Sequence, residues 1–310
     1  MEKLLVIVGP TAVGKSNVAL RLAEEYDGEI ISADSVQVYR GLDLGAAKPS
    51  LAERATVTHH LIDIVDANDN YTVADFQQDA ALVITDVLNR GKLPILVGGT
   101  GLYVRAILKG FAFSDSGADQ EFRHKLQKAA ELFGPEHVHQ KLAAVDAQTA
   151  SKLHPNDLRR VIRALEVFSQ TQLPISEQVA LTPESSVYDA AQIGLTMPRD
   201  LLYTRIEERV DKMIAQGLVD EVKCLLAQGV LPQAKSMQSL GYKQIVSYLK
   251  GDISLPTAVE LIKRDTRRFA KRQVTWLRRD AEIQWVDVHK IGDVVDIVKN
   301  ISLIVAGYWQ

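Results

Sequence analysis

Eight residues near the start of the chain have the types and spacing needed to hold a phosphate group. They are Gly9, Pro10, Thr11, Ala12, Val13, Gly14, Lys15 and Ser16, and they fit the pattern G-x-x-x-x-G-K-[ST]. The glycines let backbone amides turn inward around an anion, and the following helix N-terminus adds a favourable dipole. Lys15 supplies a positive charge, and the Ser16 hydroxyl is a suitable Mg²⁺ ligand. The loop therefore predicts a binding site for a phosphate chain, of a nucleotide or of another ligand, with Mg²⁺ as cofactor.

The acidic residue that usually accompanies such a loop is missing from its expected place. A P-loop NTPase holds its metal with an Asp that follows a later apolar strand. Here the best such strand lies in LPILVGGTG, residues 93–101, and ends in glycines and a threonine. Either the acid comes from elsewhere in the chain, or activation of water is not the task of the site.

Two other side chains are candidates for chemistry close to the loop. Thr11 lies inside the loop, where its hydroxyl can reach a phosphate oxygen. Asp34 follows the second predicted strand, near the carboxyl edge where open α/β sheets bind ligands. The pair Asp34-Ser35 is also typical of a helix or turn cap. The roles of general base and of cap stay equally open for Asp34.

Neighbouring histidines at 59 and 60 invite a metal interpretation, but no third ligand stands at a useful spacing. Hydrogen bonding near a strand end is the preferred interpretation, and no zinc is expected.

The only cysteine is Cys224, which excludes an internal disulfide and fits a reducing compartment. The apolar run at residues 4–8 is too short for a signal peptide or a membrane span. We therefore expect a cytoplasmic protein without a membrane partner.

The elements that must position these residues alternate along the chain. Strands are predicted at residues 4–8, 29–32, 95–97, 192–196 and 283–286, and helices at 15–26, 73–90 and 102–108. Thr72, with Asp75 three residues later, is typical of a helix start. Several strands are apolar throughout, as in parallel strands covered on both faces. The order predicts an α/β fold with a P-loop NTPase-like parallel sheet core.

A change of pattern divides this core. Short helical patterns at 119–132, 136–144, 147–153 and 156–169 predict a helical insertion domain over residues 113–198. Residues 1–112 and 199–310 then form the P-loop α/β core with C-terminal helices. The apolar share of 46% and the charged share of 24% are ordinary for a chain that buries a core.

Positive charge is concentrated in two segments although the chain carries a formal net charge of −3. Residues 263–279, KRDTRRFAKRQVTWLRR, contain eight basic residues and one acidic residue. In the insertion, Arg160 and Arg163 are three apart and share one helix face. Two basic helices could grip a polyanion. Solvated helix faces and a polyphosphate ligand remain alternatives.

The combined motifs resemble the tRNA dimethylallyltransferase family in its bacterial form. They are GPTAVGKS (9–16), ISADSVQVYRGLDLGAAKP (31–49), HHLID (59–63), VGGTGLYVRAIL (97–108), HPNDLRRVIRALEVF (154–168), GLVDEV (217–222), SLGYKQ (239–244) and RRFAKRQVTWLRR (267–279). The resemblance implies transfer of a dimethylallyl group from its diphosphate to the exocyclic amine of an adenosine next to a tRNA anticodon. It implies that the loop holds the isoprenoid diphosphate and that no ATP is spent.

Site roles follow from the same resemblance. Asp34 corresponds to the base that deprotonates the amine, and Thr11 to the residue that hydrogen-bonds the diphosphate. Lys15 and Ser16 correspond to the phosphate and Mg²⁺ ligands, and Arg205 to an arginine that holds the diphosphate. The implied tRNA contacts are Asp34, Ser35, Val36, Gln37, Thr100, Arg123, Arg160, Arg163, Gly241, Tyr242 and Lys243. The family often carries Gln where this chain has Arg159.

Three rival functions predict different behaviour. A P-loop small-molecule kinase would transfer phosphate from ATP, and an isopentenyltransferase of free adenine nucleotides would not need the basic segments or the insertion. A non-catalytic RNA-binding protein would not need both an intact Gly-Lys-Ser and Asp34. The preferred partners are the anticodon stem-loop of tRNA and dimethylallyl diphosphate, with a flipped adenosine and a monomeric enzyme.

Overall fold

The computed structural model describes residues 1–111, 113, 117, 119–180 and 185–309. The strands within these residues are β1 (Lys3–Val8), β2 (Gly28–Ala33), β3 (His59–His60), β4 (Leu93–Gly98), β5 (Asp189–Thr196) and β6 (Gln284–Asp287). They form one parallel sheet in the order β3-β2-β4-β1-β5-β6. The predicted α/β class and parallel sheet are confirmed.

Helices cover much of the rest of the described chain. They are α1 (Lys15–Glu25), α2 (Leu51–Thr56), α3 (Val73–Asn89), α4 (Gly101–Lys109), α5 (Gln120–Phe133), α6 (Pro135–Val145), α7 (Ala147–Ala150), α8 (Leu158–Thr171), α9 (Ile175–Ala180), α10 (Arg199–Ala215), α11 (Leu218–Ala227), α12 (Tyr242–Leu249), α13 (Leu255–Leu277), α14 (Val288–Ile291) and α15 (Val294–Tyr308). None of the helices in the described ranges is long and apolar enough to cross a membrane.

The central strand β1 shows why its sequence is apolar without alternation. Leu4, Val6 and Val8 pack into one apolar cluster, whereas Leu5 and Ile7 pack into another. Successive side chains of a strand point to opposite faces of the sheet. Both faces of β1 are therefore buried, and five successive apolar residues satisfy them.

The strand order creates a binding edge beside β1. This strand lies between β4 and β5, and the chain runs from β1 to β2, which lies beyond β4. In doubly wound sheets, ligands bind outside the carboxyl ends of the strands where the strand order reverses. The loops that follow β1, β2 and β4 meet at this edge.

A local signal fixes the start of α3 as predicted. The Thr72 hydroxyl accepts from the amide of Asp75, and the Asp75 carboxylate accepts from the amide of Thr72, which forms a capping box at the start of α3.

The two histidines form β3, where His60 Nε2 lies 2.7 Å from Glu29 Oε2 and His59 Nδ1 lies 2.8 Å from the Val57 carbonyl oxygen. Both rings thus have hydrogen-bond partners of the ordinary structural kind.

The chain divides into two compact units, residues 1–108 with 187–310 and residues 109–186. The second unit is helical and has its own apolar core, to which α5, α6 and α8 contribute residues such as Leu126, Leu142 and Leu165. Strand β5 belongs to the first unit, so the boundary predicted at residue 198 extends one strand too far. Residues 114–116, 118 and 181–184 of the predicted insertion lie outside the described residues.

Candidate active site

A cavity of about 330 Å³ lies at the carboxyl edge of the sheet, within the first unit. Its wall is formed by the loops after β1, β2 and β4, by the segment 45–49, and by α10 and α13. Thr11, Lys15 and Ser16 of the predicted phosphate loop contribute to this wall together with Asp34. The residues that the sequence singled out for phosphate binding and for proton transfer therefore share one cavity.

The backbone of the phosphate loop needs its glycines. Gly9 has a φ of 149°, and a Cβ there would lie 2.6 Å from the carbonyl oxygen of Leu195 on β5. Gly14, with a φ of 107°, precedes α1 without a side-chain cap. The first amides of α1 are therefore available to an anion, and the helix dipole favours negative charge at this end.

Lys15 and Arg209 bring positive charge to the cavity. Lys15 Nζ donates to the Pro10 carbonyl oxygen at 2.9 Å, so the side chain folds back over its own loop. Burial and, to a smaller extent, the charge of Arg209 lower the pKa of Lys15 to about 8, whereas the charge of Asp34 opposes the change. Burial also lowers the pKa of Arg209, although a guanidinium stays charged in proteins. Two neighbouring cations beside a phosphate loop form a strong anion-binding group.

Asp34 caps the turn after β2 and also faces the cavity. Its Oδ1 accepts from the amides of Val36 at 2.8 Å and Gln37 at 3.3 Å. This is the cap that the sequence left open, but both bonds use the same carboxylate oxygen. The turn fixes the orientation of the carboxylate, and Asp34 lines the cavity. A cap and a proton acceptor are compatible in this geometry.

Gln37 ties the Asp34 turn to the segment 45–49. Its Oε1 accepts from the Ser32 hydroxyl at 2.8 Å, and its Nε2 lies 3.3 Å from the carbonyl oxygens of Ala46 and Ala47. On the other side of this segment, Glu221 of α11 accepts from the amide of Leu44 at 2.7 Å. Gln37, predicted as a tRNA contact, therefore also holds the cavity wall in place.

Apolar side chains form another part of the cavity wall. The apolar side chains that line the cavity from the sheet, α10 and α13 include Val97, Ile206, Val210, Met213, Ile262 and Phe269. Phe269 is 37% exposed, which is unusual for a large aromatic side chain on a helix that packs into the core. A cavity lined by both cationic and apolar side chains can accept a ligand with a phosphate head and a hydrocarbon part.

Arg205 does not lie where the sequence placed it. It is exposed on α10 and does not line the cavity, whereas Arg209 on the same helix does. Four residues are slightly more than one helical turn, so the two arginines differ by about 6 Å along the helix axis. The sequence marks both positions as basic, and only the packing of α10 decides which one meets the phosphate loop.

The remaining predicted contacts fall into three groups. Ser35, Val36, Thr100 and Gly241 line the cavity, as Asp34 does. Lys243 is exposed, whereas Tyr242 is fully buried and its hydroxyl donates to Glu221 at 2.6 Å. Gly45 packs against the Tyr242 ring so closely that a Cβ would lie 2.4 Å from Cε2. Tyr242 therefore supports the cavity wall and does not itself present a surface to a ligand.

The predicted arginines of the second unit have different environments. Arg123 makes two bonds of 2.8 Å to the carboxylate of Glu166, and Arg163 makes one of 2.6 Å. Glu166 is fully buried. Burial alone raises the pKa of Glu166, but the bonds from Arg123 and Arg163 outweigh it and hold the pKa below the usual value. Arg160 differs, because it is exposed and its ion pair with Asp157 is 3.2 Å long.

The basic segment on α13 is partly neutralised by its surroundings. Lys263 pairs with Asp211 and Arg267 with Glu207, both on α10, and Arg264 pairs with Asp265 on α13 itself. The charges near the C-terminal end remain exposed and have no ion pair within the described residues: Lys271, Arg272, Arg278 and Arg279. The helix presents a positive surface that is smaller than its composition implies.

The donor set of the cavity suits Mg²⁺ when phosphate oxygens take part. Ser16 is exposed at the start of α1 and lines the cavity. No group of three or more His, Cys, Asp or Glu that could hold a metal occurs among the described residues. A cation held by one hydroxyl and by oxygens of a phosphate ligand is a common arrangement for Mg²⁺, which keeps several waters.

Arg209 and Gln273, two polar side chains of the cavity, were not among the predicted site residues. Arg209 follows Arg205 by one turn, and the only signal for it is a second arginine at helical spacing. Gln273 lies in a basic segment, yet it is buried and bonds to Thr11 and Gly99. Gln273 was overlooked because the segment was interpreted only by the positive charge of its eight basic residues.

Comparisons with known proteins agree on one family. The family model described as IPP transferase matches residues 37–280. The tRNA dimethylallyltransferase of Pelotomaculum thermopropionicum is 51% identical over 301 residues, which cover 97% of this chain and 96% of the relative. The tRNA dimethylallyltransferase of Carboxydothermus hydrogenoformans is 52% identical, with 93% of each chain covered.

Solved structures give the same result. The full-length tRNA isopentenylpyrophosphate transferase of Bacillus halodurans superposes with a TM-score of 0.74 at 44% identity, covering 99% of this chain and 97% of that one. A eukaryotic dimethylallyltransferase acting on tRNA has a TM-score of 0.77 at 30% identity, covering 93% of this chain and 74% of its own.

Proposed function

The chain belongs to the IPP transferase family, and we propose that it transfers a dimethylallyl group from dimethylallyl diphosphate to tRNA. The acceptor is the exocyclic N6 amine of the adenosine 3′-adjacent to the anticodon, and diphosphate is released. The observation that carries this proposal is the single cavity in which a phosphate loop, an oriented carboxylate and an apolar wall meet.

The donor is proposed to bind with its diphosphate on the loop. Amides at the start of α1, Lys15 and Arg209 stabilise its negative charge, and the apolar wall receives the isoprenoid. The Thr11 hydroxyl donates to the diphosphate near its bridging oxygen. Bonds from groups already in place favour departure of the charged leaving group, because they need no reorganisation during the reaction.

The acceptor adenosine must leave its stack to meet a carboxylate inside a cavity. Its N6 nitrogen then attacks C1 of the dimethylallyl group. The N6–C1 bond forms, the bond from C1 to the diphosphate oxygen breaks, and Asp34 takes the proton from N6. The turn amides that bond Oδ1 of Asp34 orient the carboxylate for this task. A base held in this way contributes about 10²- to 10⁴-fold to the rate.

Mg²⁺ would be held by the Ser16 hydroxyl and the diphosphate oxygens, where it would neutralise part of the leaving-group charge. The working unit is proposed to be a monomer. Since tRNA is the proposed acceptor, we expect the enzyme to act in the cytoplasm. ATP has no part in the reaction, although the loop has the sequence of a nucleotide-binding motif.

A transfer assay tests the proposal. Radiolabelled dimethylallyl diphosphate is mixed with protein, Mg²⁺, unmodified tRNA and AMP, without ATP. Label in tRNA alone supports the proposal. Label in AMP alone indicates the free-nucleotide enzyme, and absence of label in both contradicts the proposal and calls for a test of phosphate transfer from ATP.

A matched pair of variants distinguishes the loss of the proposed base from the loss of one negative charge elsewhere. Asp34→Asn keeps the shape of the side chain and removes the proton acceptor. Asp220→Asn makes the same change on the exposed surface of α11, where 81% of the side chain is accessible. The first variant should lose most of the transfer rate and retain tRNA binding, while the second should behave as the parent enzyme.

A further inference from the structure

Gln273 on α13 connects two loops of the cavity that are far apart in sequence. Its Oε1 accepts from the amide of Thr11 at 2.9 Å, and its Nε2 donates to the carbonyl oxygen of Gly99 at 3.0 Å. The side chain is only 7% exposed. Both ends of the amide are thus used, and each end has a different loop as its partner.

The two loops carry residues proposed for different substrates. Thr11 belongs to the phosphate loop after β1, which holds the donor. Gly99 precedes Thr100 in the loop after β4, which is proposed to contact the acceptor. Strands β1 and β4 are neighbours in the sheet, but the structure shows no backbone ladder beyond the ends of the strands. A side chain from α13 therefore provides the connection at the level where the reaction takes place.

Helix α13 packs closely against the segment after β4 at two positions. A Cβ on Gly99 would lie 2.2 Å from Nε2 of Gln273, and a Cβ on Gly101 would lie 2.1 Å from Cε3 of Trp276. Gln273 and Trp276 are three residues apart and so lie on one face of the helix. Gly99 in the loop and Gly101 at the start of α4 allow α13 to approach, which leaves the Gln273 amide little freedom to move.

We propose that Gln273 is a positioning residue that sets the separation of the donor loop and the acceptor loop. It touches neither reacting atom. It holds the Thr11 amide and the carbonyl next to Thr100 at a fixed distance, so that the C1 carbon of the donor and the N6 nitrogen of the acceptor come into line. This inference rests on the transfer reaction proposed above, and a misplacement of about 1 Å can reduce a rate by about 10²-fold.

An amide is suited to this role because it donates at one end and accepts at the other. An ionised carboxylate of the same shape can accept from Thr11 but cannot donate to Gly99. A protonated carboxyl can do both. Gln273→Glu should therefore be defective while its carboxyl is ionised and should recover as the pH falls and the carboxyl gains a proton.

The test measures single-turnover transfer with both substrates saturating, and KM for each substrate from steady-state rates at varied concentration, for the parent enzyme, Gln273→Ala and Gln273→Glu. Parent activity on tRNA is established first, so that failure of the proposed function is recognised separately. At pH 8 both variants should be about 10- to 100-fold slower, with KM for each substrate within about threefold of the parent. Between pH 8 and pH 6 the rate of Gln273→Glu relative to the parent should rise, and that of Gln273→Ala should stay constant.

Thr275→Ala is the matched control, because Thr275 lies exposed on the same helix and its hydroxyl bonds only within α13. It should match the parent at both pH values. Thermal melting of each variant checks folding, and Gln273→Glu keeps the size of the side chain if the alanine variant is unstable. An unchanged rate, a rise in the KM for the donor alone, or a rate of Gln273→Glu that stays at the same fraction of the parent overturns the proposal.

Discussion

Replacement of Arg209 by Met should weaken diphosphate binding and also move its pH dependence. Arg209 lines the cavity, and its charge is one of the causes that lower the pKa of Lys15 to about 8. A diphosphate binds best when Lys15 is protonated. Affinity should therefore be complete below pH 8 and should decrease as the pH rises through 8, because Lys15 then loses its charge.

The expected magnitudes follow from these groups. In the parent protein, about one tenth of Lys15 stays protonated one pH unit above its pKa, so the Kd for diphosphate should rise about tenfold between pH 7 and pH 9. Loss of a charged donor costs about 1.5–3 kcal/mol, which corresponds to a Kd about 10- to 150-fold higher in Arg209→Met at pH 7. Removal of the neighbouring charge raises the pKa of Lys15, so the decrease in affinity should begin at a higher pH in this variant.

The assay is calorimetric titration of the protein with inorganic diphosphate and Mg²⁺ between pH 7 and pH 9.5. Arg205→Met is the comparison variant, since Arg205 lies on the same helix but does not line the cavity. Lys15→Arg removes the titrating group while keeping a positive charge, so its affinity should not change over this range.

Three results would refute the reasoning. A Kd that does not change with pH in the parent protein would show that Lys15 does not titrate near 8. An unchanged pH profile in Arg209→Met would show that the two cations do not interact. An equal loss of affinity in Arg205→Met would restore Arg205 to the diphosphate site.

Other substitutions separate catalysis, RNA binding and stability. Asp34→Ala should reduce the single-turnover rate by about 10²- to 10⁴-fold while the protein still binds tRNA; an unchanged rate would leave Asp34 only its role as a turn cap. Arg160→Ala should weaken tRNA binding and lower the slope of log K against log salt by about 1 without changing the melting temperature, whereas equal binding at all salt concentrations would exclude a phosphate contact. Glu166→Gln should lower the free energy of unfolding by about 1.5–3 kcal/mol, because Arg123 and Arg163 lose charge-assisted bonds to the buried carboxylate but remain partly solvated themselves; a melting curve like that of the parent would contradict this.

The phosphate loop and the parallel sheet could be predicted because their signals are local. An apolar run such as Leu4–Val8, followed by a glycine loop and an amphipathic helix, specifies its own backbone. The capping box of Thr72 and Asp75 likewise depends on residues three apart. The family resemblance also uses such short motifs, and the comparisons confirm it.

The sequence pattern overestimated the unpaired positive charge of the basic segments. Residues 263–279 carry eight basic residues, but Lys263 and Arg267 pair with acidic residues of α10. In the second unit, Arg123 and Arg163 bond to Glu166. The composition of a segment gives its own charges but does not give the charges of the elements that pack against it.

By itself the sequence determined the fold class, the family, the phosphate loop and the candidacy of Asp34. Only the tertiary structure decided that Arg209 and not Arg205 lines the cavity, that Tyr242 is buried, and that Gln273 connects Thr11 with Gly99. The physical reason is the distance along the chain, since Gln273 bonds to residues 262 and 174 positions away. Helical spacing places two arginines on one helix, but the position of that helix on the sheet determines which side chain reaches the ligand.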